Sequence, residues 1–140
     1  MEKWVLYAVV SAIFAGFTSV IAKMGLTGIS GELGLTIRTL FVCSFVLIFA
    51  VFSVPIDELP AVNQRNLLWL GLSGVTTALS WIFYYKALKL GNVATVALID
   101  KGSVVVSMLL AWLILREVIT IRMLAGAALI VAGLLVIAKK

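Results

Sequence analysis

What most constrains this chain is the length of its apolar runs. Five stretches, residues 4–22, 35–54, 67–88, 93–115 and 120–138, are almost continuously apolar. Each is close to the ~20 residues a helix needs to cross a hydrocarbon layer. The apolar residues follow one another without strict alternation, which favours helices over the strands of a barrel, the only other structure that satisfies its backbone in lipid. Composition agrees. Hydrophobic residues make up 64% of the 140 and charged ones 12%, where a soluble domain is about half apolar and about a quarter charged. Mean hydropathy is +1.23. The expected fold is all-α and membrane-embedded: one domain of five transmembrane helices over residues 1–140.

Polar residues punctuate the runs. Lys23 and the glycine-rich GLTGISGELG end the first. Pro55, Asp57–Glu58 and the loop DELPAVNQRN follow the second, KLGN joins the third to the fourth, and Arg116–Glu117 closes the fourth. Thr120 is placed to cap the fifth, and Lys139–Lys140 ends it. The first run has a meagre basic segment, Lys3 beside Glu2, and is long for the apolar part of a leader, so it reads as a retained span. Trp4, Trp69 and Trp112 fall at one side of the membrane, and Tyr84 and Tyr85 toward the other, as aromatic belts do.

Several function classes drop out. There is no histidine and one cysteine, Cys43, so neither a disulfide framework nor an ordinary His/Cys metal site is expected within one chain. Cys43 lies in an apolar run and reads as packing. No cofactor is implied. The net charge of +5 comes from basic residues standing singly at span ends, where they anchor to the membrane and do not bind nucleic acid. No Ser/His pair, phosphate-cradling glycine loop or metal cluster is present, so no enzyme is expected.

Small residues recur at helical spacing: Ala8, Ser11, Ala12, Ala15, Gly16 and Ser19 in the first span, Gly71, Gly74 and Ala78 in the third, Ala125, Ala128 and Ala132 in the fifth. Such stripes let helices approach closely in lipid, within one chain or between two copies. The basic residues flanking the spans are nearly balanced. Lys3, Arg65, Arg116 and Arg122 fall on one side, and Lys23, Lys86, Lys89, Lys139 and Lys140 on the other, with Arg38 a sixth if counted. Orientation follows an excess of cytoplasmic Lys and Arg. Either a weak bias decides, or the chain inserts both ways and forms an antiparallel homodimer.

The chain resembles the EamA family of the drug/metabolite transporter superfamily. The resemblance lies mainly in WIFYYKALKLGNVATVALIDKGSVVVSMLLAWLILREVITIRMLAGAALIVAGLLVIAKK: the tyrosine-rich end of the third span, the Arg116–Glu117 close of the fourth, and the fifth span with AGAALIVAGLLVI. Lys23 and Arg38, in LTIRTLF, also fit. Family members typically have ten spans, two five-span halves of opposite orientation. The resemblance therefore implies one half of such an inverted-repeat fold, which needs a partner to enclose a pathway.

One pair of residues stands against its surroundings. Asp100 and Lys101, in VALIDKGSVVV, lie within about 6 Å of the middle of the 93–115 span at 1.5 Å per residue. A charge at that depth costs about 2.5–3.5 kcal/mol on insertion scales. Neighbours on a helix point about 100° apart, so the two do not face each other well. Either they line a polar cavity with Ser103 and meet a polar substrate or carry a coupling proton, or they form a structural pair that pins the packing. Trp81, Tyr84, Tyr85 and Arg38 are further candidates to line that cavity. An interfacial belt is the competing and favoured role for Trp81, Tyr84 and Tyr85. Arg38 stands out because it lies inside an apolar run. Hydroxyls at Thr76, Thr77 and Ser80 are available in principle, though such groups commonly bond their own backbone.

The expected function is a transporter subunit of a prokaryotic cell membrane, multi-pass, moving a small polar or amphipathic metabolite by alternating access as a homodimer. The rival is a non-transporting scaffold or accessory subunit whose buried charges serve assembly. A third arrangement pairs this chain with a different half-size partner.

Overall fold

The computed structural model describes residues 2–138. Lys139 and Lys140, counted above at the end of the fifth span, lie outside them. The described residues form helices and no strand. They are α1 (Lys3–Gly25), α2 (Gly31–Ser53), α3 (Gln64–Leu90), α4 (Val93–Asp100), α5 (Ser103–Leu110) and α6 (Ile121–Ala138). A 3₁₀ turn, Ile56–Ala61, carries the acidic loop, and a π-helical turn, Ala111–Leu115, continues α5. The α1, α2 and α3 helices are each long and apolar enough to cross a membrane, as is the segment Val93–Leu115. α6, with 18 residues, is shorter than these four segments. At 1.5 Å per residue it still reaches about 27 Å.

Helix starts follow local chemistry. The Ser30 hydroxyl accepts the Leu33 N–H at 3.2 Å, which lets α2 begin several residues before the apolar run does. Asn63 Oδ1 accepts the Asn66 N–H at 3.0 Å at the head of α3. Thr120 Oγ1 accepts the Met123 N–H at 3.3 Å at the head of α6.

The chain divides into two compact units. One is Ile21–Leu90, the end of α1 with α2 and α3. Its core comprises Leu26, Tyr85 and Leu88, at 2%, 4% and 0% exposure. Gly31 makes that core possible. A Cβ there would stand 3.0 Å from the Tyr85 carbonyl oxygen, so only glycine lets the start of α2 meet the α3 backbone this closely. Two lysines lock the same end. Lys23 Nζ donates to the Leu88 carbonyl, and Lys89 Nζ donates to the Leu26 carbonyl at 2.9 Å. The last carbonyls of a helix have no partner within it. Here cations fill that gap, at the end the helix dipole favours. Lys23 therefore does more than anchor a span end to the membrane surface.

The other unit is Met1–Val20 with Gly91–Lys140. Its backbone is irregular between α4 and α5. Lys101 N–H donates to the Leu98 carbonyl at 3.1 Å and Gly102 N–H to Ile99 at 2.9 Å. Val104 N–H goes to Lys101 at 3.1 Å and Val105 N–H to Gly102 at 3.0 Å. All four are i to i−3 bonds, so the helix is tightened there into a 3₁₀ segment. Gly102 sits at the tight point, where a Cβ would meet the Ile99 carbonyl oxygen and Leu134 Cδ1 of α6, each at 3.1 Å. At the far end Arg116 adopts a left-handed conformation, φ 56 and ψ 32, and terminates the π turn.

Candidate functional site

The unusual polar residues form two groups, one in each unit.

In the first, Arg38 projects from α2 against α3. Its Cζ lies 4.2 Å from the centre of the Trp81 ring and 5.8 Å from that of Tyr85. Trp81 and Tyr85 are four apart, so they share a face of α3 one turn from each other. Tyr84 packs edge-on to Tyr85, with ring centres 6.5 Å apart. A guanidinium over an aromatic ring gains about 0.5–2 kcal/mol, more as water is excluded. That offsets part of what a charge costs within an apolar run. It does not satisfy the fork. Arg38 Nη1 is buried without a hydrogen-bond partner among the described residues. The acid nearest in sequence, Glu32, is engaged elsewhere: its carboxylate meets Lys86 Nζ at 3.4 Å. That pair is more than half exposed on both sides, where an ion pair contributes roughly 0–1 kcal/mol.

Trp81 also borders an open groove between α2 and α3, of about 870 Å³. Leu35, Leu40, Leu70 and Ile82 contribute to its apolar wall. Its threonines are turned to their own helices. Thr36 donates to the Glu32 carbonyl, Thr39 to Leu35 and Thr77 to Ser73, at 2.9, 2.8 and 2.8 Å. Thr76 also bonds the Ser73 carbonyl. Their donors are spent, so apart from Glu32 and Ser73, which also line it, the groove presents an apolar lining with acceptor oxygens.

The second group is at the α4–α5 junction. Asp100 is half-buried on the face of α4 that also carries Val93, Val96 and Ala97, whereas Lys101 and Ser103 are exposed. Among the described residues the one ion pair is Glu32–Lys86, so Asp100 and Lys101 do not pair with each other. No group of three or more His, Cys, Asp or Glu residues is arranged to hold a metal among the described residues.

Of the sequence candidates, the structure thus brings Arg38, Trp81 and Tyr84 into one aromatic cluster and places Asp100, Lys101 and Ser103 at one helix break. Tyr85, for which the sequence offers either a cavity wall or a belt, is the more buried of the two tyrosines and backs the arginine. Its signal was its spacing of four from Trp81, which is visible only once a partner for Arg38 is sought.

Charged side chains fixed within membrane-length helices define a class: polytopic proteins whose polar groups serve passage or assembly. The chain belongs to the EamA-like transporter family, whose pattern it matches over residues 2–139. It is thus an integral membrane protein of the drug/metabolite transporter type, embedded in lipid. A relative from Sinorhizobium sp, described as an "Uncharacterized transporter in cobO 3'region", is 34% identical over 137 residues, covering 98% of this chain and 97% of the relative. No solved structure gives a significant match.

Proposed function

We propose that the chain is one subunit of a homodimeric transporter that carries a small polar or amphipathic metabolite by alternating access. The observation that carries this reading is Lys101, exposed near the middle of a membrane-length segment and joined to no acid among the described residues. Facing hydrocarbon it costs about 2.5–3.5 kcal/mol. Facing a hydrated passage shared by two copies, it costs little. Asp100 is the second polar group of that passage, and Ser103 adds a hydroxyl. The 3₁₀ tightening beside them supports the same reading, because irregular backbone at bilayer depth is tolerated against protein or water and not against lipid.

A second copy is the natural partner. Gly16, Gly126 and Gly133 each have nothing within 4 Å of a virtual Cβ. The sides of α1 and α6 on which they lie are open there among the described residues, and another copy fills them. The near balance of flanking charge favours two orientations, so that an antiparallel pair reproduces the two inverted halves of a ten-span transporter.

The test is substrate flux or ligand-induced thermal stabilisation with Asp100→Asn and Lys101→Met. Each is expected to lose the response. If both keep it, the passage does not run along α4–α5. A metabolite panel that moves neither stability nor tryptophan emission points instead to a scaffold. C-terminal reporters active on only one side of the membrane test orientation: signal from both is expected, and signal from one excludes the antiparallel pair.

A further inference from the structure

We infer that Arg38 is an oxyanion site and that its ligand is an amphipathic organic anion whose apolar body lies in the α2–α3 groove. The argument begins with the arginine's geometry. The rings of Trp81 and Tyr85 lie against the guanidinium at 4.2 and 5.8 Å. Stacking uses the face of a guanidinium and leaves its donors, which project from the edge in the plane of the fork. A planar fork held rigid by aromatic rings is matched by a carboxylate or phosphate, which takes two parallel charge-assisted bonds.

This fork lacks such a partner among the described residues. Nη1 is buried with no acceptor among the described residues, and Glu32, the acid nearest in sequence, holds Lys86. With Glu32 and Lys86 cancelling, the cluster keeps a net positive charge. Arg38 stands seven residues into α2 from Gly31, about 10 Å along the axis. A charge there needs a counter-charge that travels in with the ligand. The residue as a whole is half-buried, so Arg38 is not sealed off from a ligand that approaches the cluster.

The groove supplies the second half of the inference. Trp81 both backs the arginine and lines the groove. Arg38 is not itself a lining residue of the groove, so Trp81 is the link between an oxyanion held on the arginine and an apolar body in the groove. The threonine donors there are already bonded to their own helices. What remains is mainly hydrocarbon, with Ser73 and a Glu32 already paired with Lys86 as its other polar residues. The chemistry is an oxyanion on an apolar tail, whether free carboxylate or membrane phospholipid.

This deepens the transporter reading and rests on it only in taking the free anion as cargo. The binding test needs no transport. The protein is purified in maltoside, which carries no phosphate or carboxylate, and titrated with octanoate, octylammonium and phosphatidylglycerol, with tryptophan emission and thermal stability as readouts. Saturable octanoate binding is expected, with octylammonium at least about tenfold weaker. Arg38→Gln is expected to abolish the octanoate response, and Arg38→Lys, which keeps charge but loses the fork, to weaken it about tenfold or more. The lysine variant guards against misfolding of the glutamine one. Arg38-dependent binding of phosphatidylglycerol with none of octanoate supports the oxyanion site and overturns its assignment to a free cargo anion. Octanoate and octylammonium acting alike, or octanoate binding indifferent to Arg38, overturns the site itself. Intact Arg38-dependent binding without flux in proteoliposomes sinks the transport reading and leaves the site standing.

Discussion

The contact at Gly31 sets up a paired experiment, Gly31→Ala against Gly16→Ala. Both glycines lie in helices, and both substitutions restrict the unfolded chain. In a helix interior with open space around it, alanine is favoured by up to about 1 kcal/mol. Gly16 has that space: nothing lies within 4 Å of its virtual Cβ. At Gly31 the new methyl would stand 3.0 Å from the Tyr85 carbonyl oxygen, 3.2 Å from its carbon and 3.4 Å from the Lys86 nitrogen. Those are backbone atoms inside α3, so they cannot swing away. The start of α2 must back off by roughly 0.3–0.5 Å to reach ordinary contact at about 3.5 Å. That loosens the packing around Tyr85 and Leu88, the most enclosed part of this unit. Overpacking of this kind costs about 1–3 kcal/mol. Set against the intrinsic gain of alanine, the net expectation is a loss of about 1–2 kcal/mol at Gly31. Gly16→Ala is expected to be neutral or stabilising. Thermal unfolding in maltoside, followed by tryptophan emission, reads the difference. Valine at 31 should widen it. Equal stability for the two alanine variants would refute the claim that glycine is needed for the α2–α3 approach.

Lys23→Met should destabilise by about 1–3 kcal/mol in the same assay, because it strips the charged donor from the carbonyl of fully buried Leu88. Lys23→Arg should recover part of that loss, and a methionine variant as stable as wild type would show the bond to be idle. Arg116→Gly should stabilise by up to about 1 kcal/mol, since the left-handed conformation at φ 56 is strained for arginine and free for glycine. A drop in stability would mean that the arginine side chain contributes more than its backbone costs.

Much of the architecture is legible in the residues because lipid leaves few choices. A continuous apolar run of this length has to become a helix, and the spacing of Lys23, Pro55, Asn92 and Arg116 marks where runs end. Arg38 and the Asp100–Lys101 pair are legible as anomalies for the same reason, each standing where a charge is costly. Their surroundings are not. What Arg38 touches depends on how α2 leans on α3, which is fixed by Gly31, more than fifty residues before Tyr85. No local pattern encodes that approach, so Trp81 and Tyr85 read equally well as belt residues. The Lys23 and Lys89 bonds were hidden too, because they run from side chain to a distant carbonyl and any sequence can supply a carbonyl. The π turn at Ala111–Leu115 left no trace either, since AWLIL is as apolar as what precedes it.

That turn has a bearing on the tightened segment at Lys101–Gly102. A 3₁₀ stretch winds the chain more sharply than an α-helix and a π turn winds it less, so one advances the angular position of later side chains and the other sets it back. The segment from Val93 to Leu115 carries one of each, about ten residues apart. Residues at its two extremities thus stay nearer to a common phase than either distortion alone would allow, while the stretch between them, Ser103–Leu110, is rotated out of step. A single-residue deletion between the two distortions would break this compensation and swing Trp112 and its neighbours to a different heading, with the apolar character of the segment left unaltered.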